Sequence, residues 1–138
     1  MLRRTAGGPG PDDALQLSCG HRVVPNDPAA VEIDCEACDR RELPVSVRAG
    51  RRTPTFTAAT TPPALLSAHL TRAWAELVVT RGTVRFVDEE PHWVAEAGID
   101  RPVVIVPDRH HHIEPGPDAE FAVQFFDYPT TDQPGSAP

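Results

Sequence analysis

The sequence contains no lysine; its thirteen basic residues are all arginine, a bias that fits a GC-rich bacterial genome. Acidic residues outnumber them and the net charge is −7. The basic pairs Arg40-Arg41 and Arg51-Arg52 are short and flanked by acids or polar residues, so no stripe follows a phosphate backbone. Nucleic-acid binding is therefore not expected. No apolar run approaches the length of a membrane span. "MLRRTAGGPGPDDA" carries two arginines with no apolar stretch behind them, so a secretory signal is not expected and the cytoplasm is the default. Three cysteines cannot close a disulfide set; in a reducing compartment they serve a metal or stay reduced. There is no G-x-S-x-G, no P-loop and no G-x-G-x-x-G, so nothing in the sequence suggests acyl transfer, phosphoryl transfer or a nucleotide cofactor.

What is present is a chain of 138 residues with sixteen prolines and nine glycines, which favours many short elements. Residues 1–13 and 130–138 are rich in Gly, Pro and polar residues and read as a disordered lead and tail. Residues 14–43 hold all three cysteines and a "PNDP" turn, and are too few to bury a core without a staple. Residues 44–129 show repeated strand signals. "ALLSAHLT" (64–71), "AELVVTRGTVRFV" (75–87, broken at Gly82), "RPVVIVP" (101–107), "HHIEP" (111–115) and "EFAVQFFDY" (120–128) are β-branched or aromatic, with Gly, Pro and Asp between them. This spacing predicts an all-β barrel or sandwich. A helix around "LLSAHLTRAWAEL" is the weaker alternative. Asp88, Glu89 and Glu90 read as a turn tip, since no calcium-loop pattern follows.

Cys19 and His21 form C-x-H; after a spacer of thirteen residues, Cys35 and Cys38 form C-x-x-C. Zinc takes four soft or borderline ligands in a tetrahedron, and two such knuckles supply them. A closed site of this kind is structural and gives residues 14–43 the stabilisation that burial cannot. The alternatives are reduced thiols beside an exposed histidine, or a redox C-x-x-C, for which no strand-then-helix context is expected.

"PDRHHHIEP" (107–115) holds three consecutive histidines. Side chains alternate on a strand. His111 shares a face with Ile113 and is expected to point inward; His110, His112 and Glu114 share the wet face. His69 shares a face with Leu65, Ser67 and Thr71 and is expected to point into the same barrel. Two imidazoles are a weak divalent site by themselves, with Gln124, water or a substrate atom completing it. The alternative is a metal-free pair of pocket residues. Trp74 is expected in the core or at the barrel mouth, Trp93 as a loop anchor, and Arg72 and Arg85 as solvated unless an anionic ligand meets them.

"RTPTF", "PPALLSAHL", "AWAELVVTRGTVRF", "VIVPDRHHHIE" and "FAVQFFDY", in this order, resemble the small cupin-like family that includes YeaR and the N-terminal part of the tellurite-resistance protein TehB. The pattern at Pro107, His111, Ile113 and Glu114 is the most specific part. The resemblance covers about two thirds of the chain and leaves out the cysteine segment. It implies a cupin double-stranded β-helix barrel; the Cys/His spacing, read separately, puts a small N-terminal zinc-knuckle segment before it. The resemblance also implies a divalent metal (Zn, Fe, Mn or Ni) at His69 and His111. Ala75 and Thr71 stand where a general cupin has its Glu and second His, and Glu76 is one residue out of register. The implied role is binding of a small molecule or oxyanion in a tellurite or oxidative-stress response. A metal-dependent oxygenase or isomerase, and a sensor or interaction module using the zinc segment, are the other classes carried forward. With no nucleotide-type glycine loop in the sequence, a methyltransferase part is not expected. Pairing through edge strands makes a homodimer the expected oligomer.

Overall fold

The computed structural model describes residues 2–9, 15–23, 32–89 and 92–128. It divides into two compact units. The first holds the described residues up to Arg48 together with Tyr128; the second is Ala49–Asp127.

In the first unit four strands form one antiparallel sheet, in the order β3-β2-β1-β4. They are β1 (Leu2–Pro9), β2 (Leu15–Leu17), β3 (Arg22–Val23) and β4 (Glu32–Cys35), and β4 runs into the one-turn helix α1 (Glu36–Asp39). The disordered lead expected over 1–13 is thus corrected for residues 2–9. β1 pairs with β4 from Leu2↔Cys35 to Thr5↔Glu32, and this partner distant in sequence supplies the backbone hydrogen bonds that a Gly- and Pro-rich composition does not announce. The "PNDP" turn and the expected tail lie outside the described residues. Among the side chains described here, Leu17, Pro44 and the three cysteines are the buried apolar ones.

The second unit is antiparallel β, in two sheets. One has the order β10-β7-β12-β5, with β6 also pairing β12; the other has the order β11-β8-β9. The members are β5 (Arg48–Arg52), β6 (Phe56–Thr57), β7 (Ala75–Arg81), β8 (Val84–Glu89), β9 (His92–Ala97), β10 (Val103–Ile105), β11 (His111–Pro115) and β12 (Glu120–Asp127). Alternate residues of these strands build one core: Ala75, Leu77 and Val79 from β7 meet Val84 and Phe86, Ile105, Ile113, and Phe121 and Val123. The break foreseen at Gly82 is real. Gly82 has φ +68°, and there the chain leaves one sheet for the other.

Two expectations are corrected. The strands do not close a barrel. Pro102 and Pro107 flank β10 and have no N–H to extend its ladder; among the described residues the two sheets share no ladder, and the isolated bridges are His69↔His111 and Gly98↔Arg101. The strand expected at 64–71 is also absent. Pro63 starts a one-turn helix, α2 (Pro63–Leu66), because its fixed φ suits the first helical position; only His69 then bridges. Asp88 is no turn tip either. It lies within β8, fully buried, with the buried Arg109 guanidinium 3.7 Å away.

Candidate metal centre and cavity

The first knuckle is the β2–β3 hairpin. Leu17 N donates to His21 O (2.8 Å) and Gly20 N to Leu17 O (2.9 Å). Gly20 adopts φ +97°, which only glycine takes without strain, and this tight turn sets Cys19 and His21 side by side. The second knuckle is the end of β4 with α1. Arg40 N donates to Glu36 O (2.9 Å), Arg41 N to Cys38 O (3.0 Å), and Arg41 closes the turn at φ 59°. A strand-then-helix context therefore does surround the C-x-x-C, contrary to expectation, but the helix is a single turn and acts as the knuckle itself.

The structure brings all four expected ligands together. Cys19, His21, Cys35 and Cys38 are buried, and their donor atoms lie within 4.8 Å of one another. No disulfide joins the cysteines. Cys19 Sγ and Cys35 Sγ are 3.8 Å apart; His21 Nδ1 is 3.3, 3.4 and 3.6 Å from the sulfurs of Cys19, Cys35 and Cys38. A zinc tetrahedron has arms of about 2.3 Å to sulfur and about 2.0 Å to nitrogen, so its edges are about 3.8 Å (S–S) and about 3.6 Å (S–N). The Cys19–Cys35 edge and the three edges to His21 Nδ1 are close to these values. His21 Nε2 lies 2.6 Å from Glu42 O and, facing a carbonyl, must donate. Its lone pair is then on Nδ1, toward the sulfurs, the outer-shell arrangement metal-bound histidines use.

The thiols interact strongly. The Cys38 thiol donates to Cys19 and, against burial, lowers the Cys19 pKa to about 5, with His21 adding to the effect. The same hydrogen bond, then burial, pushes Cys38 up; burial pushes Cys35 up. A divalent cation at this point would take the place of the thiol protons. The cluster could hold a metal such as zinc.

The second unit holds the histidine pair. The imidazoles of His69 and His111 have centroids 4.3 Å apart, edge to face. Reciprocal backbone bonds fix them: His69 N to His111 O (3.0 Å) and His111 N to His69 O (2.7 Å). His69 Nδ1 is 3.0 Å from Ser67 O, and His111 Nδ1 is 3.1 Å from Arg109 O. Carbonyls only accept, so each Nδ1 carries the proton, and in the neutral ring the lone pair is on Nε2. Both rings line a cavity of about 180 Å³, whose walls include Phe56, Leu65, Leu77, Ile105 and Phe125.

Other expected residues fall elsewhere. Gln124 does not line the cavity: Phe121 and Val123 point into the core, so Gln124 faces away, donating to Gly50 O (3.0 Å) and accepting from Arg52 Nε (2.8 Å). Glu76 is likewise outside the cavity lining, while Thr71 is part of it. Trp74 is fully buried, and Trp93 is 38% exposed on β9 rather than over the cavity. Arg72 is exposed, and Arg85 lies 3.9 Å from Glu114 on the outer face. The cation at the cavity is Arg51, packed 4.6 Å over the Phe125 ring. The sequence marked it only as one of the basic pair Arg51-Arg52, with no pointer to a cavity.

The sequence matches the TehB-like domain family over residues 51–123, more than half of the chain. Among curated proteins, no relative matches. Among solved structures, a protein from E. coli (strain K12) superposes with a TM-score of 0.58 at 24% identity, over 64% of this chain and 97% of that one. TehB from Haemophilus influenzae superposes with a TM-score of 0.55 at 19% identity, over 68% of this chain but 37% of TehB. These likenesses concern the fold. No helix among the described residues is long and apolar enough to cross a membrane. The span and order of the match in the second unit place the chain in a family: it belongs to the TehB-like domain family.

Proposed function

We propose that the second unit is a cupin-type binding module. In this reading His69 and His111 hold a divalent cation through their Nε2 atoms, and the cavity takes a small molecule in a tellurite or oxidative-stress response. The observation that carries the reading is the histidine pair itself: two imidazoles 4.3 Å apart, each locked by an Nδ1–H to a carbonyl, on one cavity wall. The alternation of strands between two sheets and the family membership support it. Cys19, His21, Cys35 and Cys38 serve as a separate structural zinc site.

The walls bear on the ligand. A bare oxyanion loses its water against Phe56, Leu65, Leu77 and Ile105 with little in return. A cavity of about 150 Å³ admits a guest the size of benzene. A small organic anion with an apolar body therefore fits better, its charged end at the metal or at Arg51. That same lining favours a second reading, a metal-dependent oxygenase or isomerase on a small organic acid, in which the coordination positions left by two histidines receive the substrate.

Elemental analysis of tag-free protein, with calorimetric titration of benzoate and tellurite, tests this. Loss of one bound metal on His69→Ala and on His111→Ala, with zinc retained, is expected, together with benzoate binding that disappears in the same variants. Metal content unchanged by both substitutions would sink the reading. Iron or manganese as the lost metal favours the enzyme.

A further inference from the structure

Arg4 stands in a stretch whose composition announces nothing, yet its side chain is 3% exposed. Its Nε and Nη2 both donate to Cys38 Sγ, each at 3.4 Å. It sits on β1, where Arg4 pairs with Ile33, two residues before the ligand Cys35. A divalent cation held by three thiolates and a neutral imidazole leaves one negative charge in excess. Burying that charge is costly unless a cation meets it with hydrogen bonds. A guanidinium offering two N–H groups to one sulfur does so with fixed geometry.

We propose that Arg4 is the charge-neutralising outer partner of a Cys19/His21/Cys35/Cys38 zinc site, and that metal loading, through Cys38, fastens strand β1 onto the sheet. This rests on the reading of the cluster as a metal site. The strand needs such a fastening. "LRRTAGGP" includes Gly7, Gly8 and Pro9, weak strand formers that supply little to hold the pairing by themselves. The Arg4–Cys38 contact ties this segment to the metal knuckle. Removing an outer-shell partner of this kind lowers metal affinity about 10–100-fold.

The test uses the full chain with cobalt and zinc. Cobalt titration of the unsubstituted protein should raise the thiolate-to-metal charge-transfer band and tetrahedral d–d bands. Arg4→Met should shift the charge-transfer band to lower energy, because the Cys38 sulfur loses two N–H donors. It should also weaken zinc about 10–100-fold in competition with a chromophoric chelator. Arg4→Lys, with the charge but not the fork, should recover part of both. Hydrogen exchange should show amides 3–8 protected with zinc, exposed after chelation, and exposed in Arg4→Met under both conditions. If the unsubstituted protein takes up no cobalt, the metal reading falls and this proposal with it. If it takes up cobalt but Arg4→Met gives the same band and affinity, or amides 3–8 are equally protected without metal, Arg4 has no such role.

Discussion

The consecutive residues His110, His111 and His112 end in different environments. His111 is 2% exposed beside the cavity, His110 is exposed, and His112 is intermediate. Strand alternation explains this, since Ile113 draws its own face, and His111 with it, into the core. His112 instead meets Glu89 through Nδ1 and Glu114 through Nε2, the latter at 2.8 Å. The Glu114 hydrogen bond and the charge of both acids raise the His112 pKa above 6.5, outweighing some desolvation. A raised folded-state pKa stabilises the fold fully below the unfolded value, and that stability is lost as pH rises through the folded value. The unsubstituted protein should therefore exceed His112→Gln in stability most at pH below about 6.5, with the gap closing as pH rises. The pair is partly solvated, so the gap is under about 1 kcal/mol and shrinks in high salt. Urea midpoints across pH check it; a gap that widens toward alkaline pH would contradict the assignment. Parity could indicate which histidine faces inward. It could not show Asp88 buried against Arg109, because Asp88 looks like one of a run of surface acids until the fold covers it.

Among the elements, Gly82 decides where one sheet ends and the next begins. Its φ of +68° lies in the left-handed region, and a Cβ there would stand 3.0 Å from the backbone C and O of Asp118. Gly82→Ala should cost about 1–2 kcal/mol for the backbone conformation alone, and more for the contact. Gly82→Asn should recover part of the backbone cost only. Chemical denaturation followed by tryptophan emission reads both, and a loss below about 0.5 kcal/mol for alanine would mean the corner relaxes freely. The strands at 75–81, 84–89, 103–105, 111–115 and 120–127 were legible because their β-branched runs are bounded by Gly, Pro and Asp. The segment at 64–71 misled because "ALLSAHL" has strand-like composition, while Pro63 converts its start to a helical turn and leaves His69 a single bridge.

For the molecule as a whole, the two units rest on different physics. The second buries a contiguous apolar core. The first, among its described residues, buries Leu17, Pro44 and cysteines that converge on one point. Chelation should therefore unfold the first unit and spare the second. Both tryptophans, Trp74 and Trp93, belong to the second unit, so their emission should not change when metal is stripped. Hydrogen exchange in residues 15–23 and 32–42 should rise at least tenfold over the same treatment. A shift of tryptophan emission on chelation, or no change in exchange of the first unit, would refute this division.

By itself the sequence determined what short spacing can encode. The two cysteine-bearing turns, the break at Gly82 and the inward face of His111 each depend on residues within a few positions of one another, where backbone geometry leaves few options. The tertiary structure alone decided which distant groups meet. It brought Arg4 to Cys38, Arg51 to the cavity and Arg109 to Asp88, and it left two open sheets instead of a closed wall. Those outcomes follow from long-range pairing and from competition for buried space, and no local pattern records either.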